Sequence, residues 1–229
     1  MELDDALRST GAVRDFEDRL VPDQLVHQIL DTARFAPSGG NRQGWRVVVV
    51  EDPAARTELR DLYLEGWYEY LAMGAAGLVA WAPITDRAAE RAAVAGAPAV
   101  AARAAAGPGG FAEHLDRVPV LLLLLADLRA LAAADRDHDR YTFAGGASIY
   151  PFAWSLLLAA HDRGLAGVLT TMAVRREDRV AELFGVPAEL AVAGLVALGY
   201  PEHRPTRLRR RPVEEFATVD RVDGPAFTG

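Results

Sequence analysis

The sequence predicts an α+β or α/β sandwich, a sheet layered against helices, in one domain. Three observations predict it. Four runs, residues 45–50, 118–125, 167–171 and 190–198, have the length and the apolar, often β-branched composition of buried strands. Segments of helical periodicity separate them, so strands alternate with helices along the chain. No internal repeat and no linker-like stretch interrupts the 229 residues, a length that in one unit buries about 70% of its unfolded surface.

The elements follow in order. Residues 4–8 read as a short helix. Residues 21–35 form a clear one: Pro22 suits a first turn, Asp23 its positive dipole end, and Leu25, Ile29 and Leu30 share a face. Residues 45–50 lack polar alternation from Val47 onward and read as a buried central strand. Asp52 can cap the next helix, with Pro53 at its first position, and that helix runs through Leu59, Leu62 and Tyr63 towards Leu71. Residues 72–110 are dominated by Ala and Gly and broken by Pro83, Pro98 and Pro108. Two readings stand there: loosely packed or partly disordered surface helices, and a variable lid over a ligand, which the aromatic group Trp67, Tyr68, Tyr70 and Trp81 supports. Residues 149–161 are an apolar helix ended by Gly164, and residues 174–184 an amphipathic helix ended at Gly185. After Pro212 strong periodicity is lost. Such a tail either frays or docks on a partner subunit.

Composition excludes much. The net charge of −7 argues against a nucleic-acid partner and against an anionic membrane surface. No apolar run is long enough to span a membrane, and the acidic start is unlike a signal peptide, so a cytoplasmic location is expected. There is no cysteine, hence no disulfide, thiolate nucleophile or cysteine-held metal. All 25 basic residues are arginine, hence there is no Schiff-base or phosphate-loop lysine. The histidines (27, 114, 138, 161 and 203) are scattered, no catalytic triad is evident, and residues 135–139 read as a polar surface turn rather than a metal site.

The loop 36–45, Ala-Pro-Ser-Gly-Gly-Asn-Arg-Gln-Gly-Trp, is rich in small polar residues at a helix-to-strand junction. Its backbone N–H groups suit a flat hydrogen-bonding heterocycle or a phosphate. The loop resembles the flavin-binding loop of the nitroreductase family, with Gly44 in place of the usual proline. Arg8 to Phe16 resembles that family's opening Arg-Arg-Ser-x-Arg-x-Phe. Residues 156–171 are similar to its helix and Gly-Leu-Gly strand, and residues 197–201 and 209–215 to its Leu-Gly-Tyr-Pro and Arg-x-Pro signatures. These matches span most of the chain outside residues 64–118.

The resemblance implies an α+β, nitroreductase-like three-layer sandwich. A central, mostly antiparallel sheet would be flanked by helices, with a helical lid insertion over residues 64–118 and an arm at 212–229 docking on a partner. It implies FMN as cofactor, NADH or NADPH as co-substrate, and hydride transfer in turn to a nitroaromatic, quinone or other conjugated acceptor. The chemistry would be the flavin's, with no catalytic side chain of the protein's own. Arg8 and Arg210 would hold the phosphate, a role for which Arg209 and Arg211 are further candidates. Arg14 would face the pyrimidine edge, where a cation stabilises the reduced ring. Thr170 and Thr171 would lie near N5. Thr10 and Ser148 complete the set with Pro37, Ser38, Gly39 and Asn41, this loop coming from the partner chain of a homodimer. Two departures weaken the match: Gly11 and Ala12 stand where the family has Arg and Ser, and Trp154-Ser155 where relatives often carry Gln-Asn. Gly11 and Ala12 favour an alternative, a non-catalytic flavin store or sensor. A dehydrogenase acting on a specialised metabolite is the other alternative.

Overall fold

A computed structural model describes residues 2–205 and 208–229. Arg207, part of the basic run 207–211, therefore lies outside the described residues. Seven helices and four strands occur among the described residues: α1 (Leu3–Ser9), α2 (Asp23–Ala33), β1 (Trp45–Val49), α3 (Pro53–Ala75), α4 (Arg87–Val94), α5 (Ala97–Ala105), β2 (Val120–Asp127), α6 (Tyr150–Asp162), β3 (Ala166–Thr170), α7 (Glu177–Phe184) and β4 (Leu190–Gly199). The strands form one sheet in the order β1-β2-β4-β3, every neighbour antiparallel. The sheet is thus the antiparallel one of an α+β fold.

Both faces of β2 are covered, which explains its unbroken apolar sequence. Leu122 and Leu124 pack towards α2 and α6, with Ile29, Phe152 and Leu156. Leu121, Leu123 and Leu125 point the other way, towards Leu59, Leu62 and Tyr63 of α3 and Val180 of α7. The period-2 alternation of one strand therefore feeds two cores, and the result is three layers.

Local chemistry sets the element ends. Asp52 accepts from the Ala55 N–H at 2.8 Å with Pro53 in the first turn. Gly164 and Gly185 close α6 and α7 at φ +83° and +61°. Residues 72–110 are helical in three stretches joined by turns: α3 runs on to Ala75, Asp86 caps α4 through the Ala88 and Ala89 N–H groups, and α4 and α5 pack on α3.

One expectation is corrected. The strand at 45–50 is not central but at the edge, pairing with β2 alone among the described residues. Arg46 and Val49 are exposed and Val47 and Val48 only half-buried. The valine run reports covered faces, not a neighbour on each side. Beyond Pro212 the chain makes a short turn and a Thr218–Ala226 bridge, with Phe216 and Phe227 exposed.

Leu123 is fully buried in the second core. Leu123→Ala is expected to lower unfolding free energy by about 2–5 kcal/mol, read from urea denaturation midpoints at unchanged slope.

Candidate functional site

The chain places most of its candidate residues in two groups. The first is the loop before β1. Three of four successive residues, Gly40, Asn41 and Gln43, have positive φ (61°, 52° and 51°) with Arg42 between them. Small and amide side chains tolerate that backbone, and β-branched ones do not. Ser38 Oγ accepts from the Gln43 N–H at 3.0 Å, and Gln43 Nε2 donates to Asn41 Oδ1 at 3.1 Å. The Gly39 N–H donates to Ser148 Oγ at 3.0 Å, joining this loop to the turn that leads into α6. Pro37, Gly39 and Asn41 are exposed, and Ser38 and Ser148 half-buried. Trp45 stacks on Phe152 of α6, with centroids 4.8 Å apart, and anchors the end of the loop. A Cβ at Gly44 would lie 3.0 Å from that of Ala130, so the departure from proline coincides with a close contact.

The second group surrounds the end of β3. Arg14, Thr170 and Thr171 line one cavity of about 550 Å³. Its wall is aromatic: Tyr63, Trp67 and Tyr70 from α3, with Phe111 and Glu113 from the segment before β2. Trp67 and Tyr70 stack at 5.4 Å, and Tyr70 meets Trp81 at 6.2 Å. Trp81 holds φ +52° and carries the Arg175 guanidinium 4.9 Å from its ring. Helices α4 and α5 contribute nothing to this lining. A larger cavity, about 910 Å³, shares Arg14, Asp15, Gly110 and Phe111 with the first.

The strand end at this cavity is held from both sides. A Cβ at Gly66 would sit 2.9 Å from the Met172 carbonyl oxygen, so α3 approaches closer than any other residue would permit. The bulge of β4 against β2 puts Gly194 at φ +153°, where a Cβ would lie 2.9 Å from the Thr170 oxygen. Arg176 clamps Glu65 (2.5 Å) and Glu69 (2.9 Å), one turn apart on α3. Tyr63 and Thr170 share a hydrogen bond of 3.0 Å between their hydroxyls. Burial raises the phenol pKa of Tyr63, against the opposing effects of Thr170 and Arg14. None of these α3 contacts was foreseen from the sequence. The one available signal was Gly66 inside an otherwise strong helix.

The remaining candidates, Arg8, Thr10 and Arg210, belong to neither group. Arg8 and Arg210 are exposed, and the Arg210 side chain reaches only the Arg209 carbonyl, at 2.8 Å. The Thr10 Oγ1 is buried with no hydrogen-bond partner among the described residues. A Cβ at Gly11 would lie 3.0 Å from Leu208 and 3.2 Å from Pro205. The bare backbone at Gly11 therefore lets the segment entering the basic run approach closely.

Beside it stands a linkage invisible in the sequence. Arg204 donates to Nδ1 of His161 at 2.6 Å and to the Gly164 and Leu165 carbonyls at 2.8 and 3.2 Å. Ser9 donates to the Asp5 carbonyl, so His161 Nε2 donates to Ser9 Oγ at 3.0 Å. The ring is neutral, with one tautomer selected. At the other end of α6, Asp135 accepts from Thr142, the Phe143 and Ala144 N–H groups and Arg140, which hold its carboxyl well below the usual range. These bonds organise the turn ahead of Ser148, and no cluster of metal-ligating side chains occurs among the described residues.

Residues 7–200 match the family model described as "Nitroreductase family". The chain belongs to the nitroreductase family. It is 30% identical over 203 residues to an NADH dehydrogenase of Thermus thermophilus, covering 89% of this chain and 88% of that protein. It is 27% identical over 220 residues to iodotyrosine deiodinase 1 of Pongo abelii, covering 95% of this chain and 68% of that protein. Among solved structures, an oxidised iodotyrosine deiodinase bound to FMN and 3-iodo-L-tyrosine shares the fold, with TM-score 0.62 and 22% identity over 93% of this chain and 96% of that one. The nitroreductase-like α+β sandwich is thereby shown, and the chain is an oxidoreductase of this family. No helix among the described residues is long and apolar enough to cross a membrane.

Burial, then Arg204, lowers the His161 pKa from its ordinary value of 6.5. The unfolded chain therefore binds the extra proton first, and stability present above pH 6.5 is lost as pH falls below that value. The melting temperature is expected to drop over that range, and His161→Gln to flatten the dependence, measured by thermal scans at several pH values.

Proposed function

We propose that the chain binds FMN and passes reducing equivalents from NADH or NADPH to a small planar acceptor, a nitroaromatic, a quinone or another conjugated electrophile. One observation carries this reading: Arg14 and Thr170–Thr171, far apart in sequence, line one cavity whose opposite wall is aromatic. The residues fit the cofactor. Arg8, Arg14, Arg209 and Arg211 have no ion pair or hydrogen bond from their guanidinium groups among the described residues, and the buried Thr10 hydroxyl lacks a partner. A phosphate needs charge-assisted donors of this kind.

When bound, FMN supplies two-electron transfer between the nicotinamide donor and the acceptor. The protein's part is positional and electrostatic. Arg210, with Arg8, holds the phosphate. Arg14 offsets negative charge at the pyrimidine edge. The backbone at Thr170–Thr171 is fixed by Gly66 and Gly194, so polar groups there are pre-aimed at the ring edge. Trp67 and Tyr70 offer stacking faces to a planar acceptor and exclude water. Donor and acceptor share one cavity and enter it in turn, a ping-pong order that gives parallel double-reciprocal lines.

A second copy of the chain completes the site. The loop carrying Ser38, Gly39 and Asn41 does not line the cavity of its own chain. Its exposed polar groups, and the exposed Phe216 and Phe227 of the tail, suit burial against a partner. In this arrangement the chain is one domain of residues 1–229. Residues 64–118 insert above the pocket, and the arm at 212–229 lies on the partner.

Anaerobic mixing with NADH or NADPH is expected to bleach the bound flavin, and a flavin that neither can bleach would leave a store or sensor. Arg210→Ala is expected to weaken FMN binding by about 1.5–3 kcal/mol, while Arg14→Ala lowers the flavin midpoint potential and leaves FMN bound. Titration and redox potentiometry of both variants check this division.

A further inference from the structure

The hydroxyl contact between Tyr63 and Thr170 has no task in the reading above, where Thr170 serves through its place near the ring edge. Tyr63 is 2% exposed, and its ring is held by Trp67 at 6.5 Å. Its phenol lies 3.0 Å from Thr170 Oγ1, and both side chains line the cavity shared with Arg14. Thr170 cannot drift away, because Gly194 backs its carbonyl. Two hydroxyls are thus fixed in contact at the wall where an acceptor would lie.

Reducing a quinone or another conjugated acceptor takes a hydride and a proton. The other polar side chains at this wall suit the second task poorly. Arg14 does not release its proton. The Glu113 oxygens already accept from the Tyr68 hydroxyl (3.3 Å) and the Gly110 N–H (2.8 Å). Asp15 and Thr171 are exposed, and Tyr70 is 41% exposed.

We propose that Tyr63 and Thr170 deliver the proton to the acceptor. This rests on the flavin-oxidoreductase reading above, in which a reduced nicotinamide is the source of hydride. As hydride reaches the acceptor and a new bond to hydrogen forms, negative charge develops on its oxygen. Thr170 gives its hydroxyl proton to that oxygen and takes the phenol proton of Tyr63. The phenolate left on Tyr63 recovers a proton from water when product leaves. The acceptor gains a hydride and a proton, the nicotinamide loses the hydride, and water makes up the proton. Burial keeps the phenol protonated until the acceptor demands it. Arg14, facing it, favours the transient phenolate, and Glu113 opposes that.

The test compares two acceptors in single turnovers of the purified, pre-reduced protein: a para-quinone, which needs protons, and ferricyanide, which takes electrons alone. Tyr63→Phe and Thr170→Val are expected to slow the quinone reaction by about a hundredfold relative to ferricyanide, and to abolish its solvent deuterium effect. Thr170→Ser, which keeps the hydroxyl, restores it. A readout independent of turnover is absorbance titration with para-nitrophenolate, whose oxygen mimics the charged acceptor. Tyr63→Phe is expected to weaken that binding about tenfold. If Tyr63→Phe does not fold, the Thr170→Val and Thr170→Ser pair carries both comparisons. Equal slowing with both acceptors, or unchanged quinone rates and phenolate affinity, overturns the proposal alone. A protein that holds no flavin and is not reduced by either nicotinamide overturns the oxidoreductase reading, and this step with it.

Discussion

The backbone from Thr170 to Met172 is gripped between two glycines, and the rest of the site depends on that grip. Gly66 lets α3 press on the Met172 carbonyl, and Gly194 lets β4 press on the Thr170 carbonyl. Close packing on both sides leaves the strand end few alternative positions. Tyr63, Trp67 and Tyr70 ride on the same helix, so the aromatic wall is placed by the contact that fixes the strand end. The Arg176 clamp on Glu65 and Glu69 adds charge to this steric lock, and its half-buried guanidinium is partly shielded from solvent. Pre-organisation here comes from packing, and the polar groups inherit it.

Much of this was legible in the sequence, for identifiable reasons. The leucine run of β2 can persist only where both faces are covered, so the sandwich follows from it. The loop at 36–45 was legible because a backbone with several positive φ values selects Gly and Asn. Helix ends at Gly164 and Gly185 were readable for the same reason. The valines of β1 misled because an apolar run records burial of faces and is silent about edges. Tyr63–Thr170 and His161–Arg204 were illegible, since each joins residues far apart whose meeting only the fold decides.

An all-arginine chain shapes the electrostatics. Arginine keeps its charge and binds in forks, so structural duties and free cations can be told apart by their partners. Arg56, Arg176 and Arg204 are committed to carbonyls, carboxylates or an imidazole. Arg8 and Arg14 have no such partner among the described residues. Gly11 stands where the opening motif has a cation, and its bare backbone admits Leu208 and Pro205 at contact distance.

In the proposed dimer each flavin site joins the cavity of one chain to the loop of another. Mixed dimers test it most directly. Differently tagged Arg210→Ala and Asn41→Ala chains are co-purified, and FMN stoichiometry is measured by fluorescence titration. In a mixed dimer one site takes both defects and the other takes neither. One FMN per mixed dimer is expected at the affinity of the unaltered protein, with both parent variants weakened. Mixed dimers that bind no better than their parents, or a monomer that keeps its flavin, would contradict it.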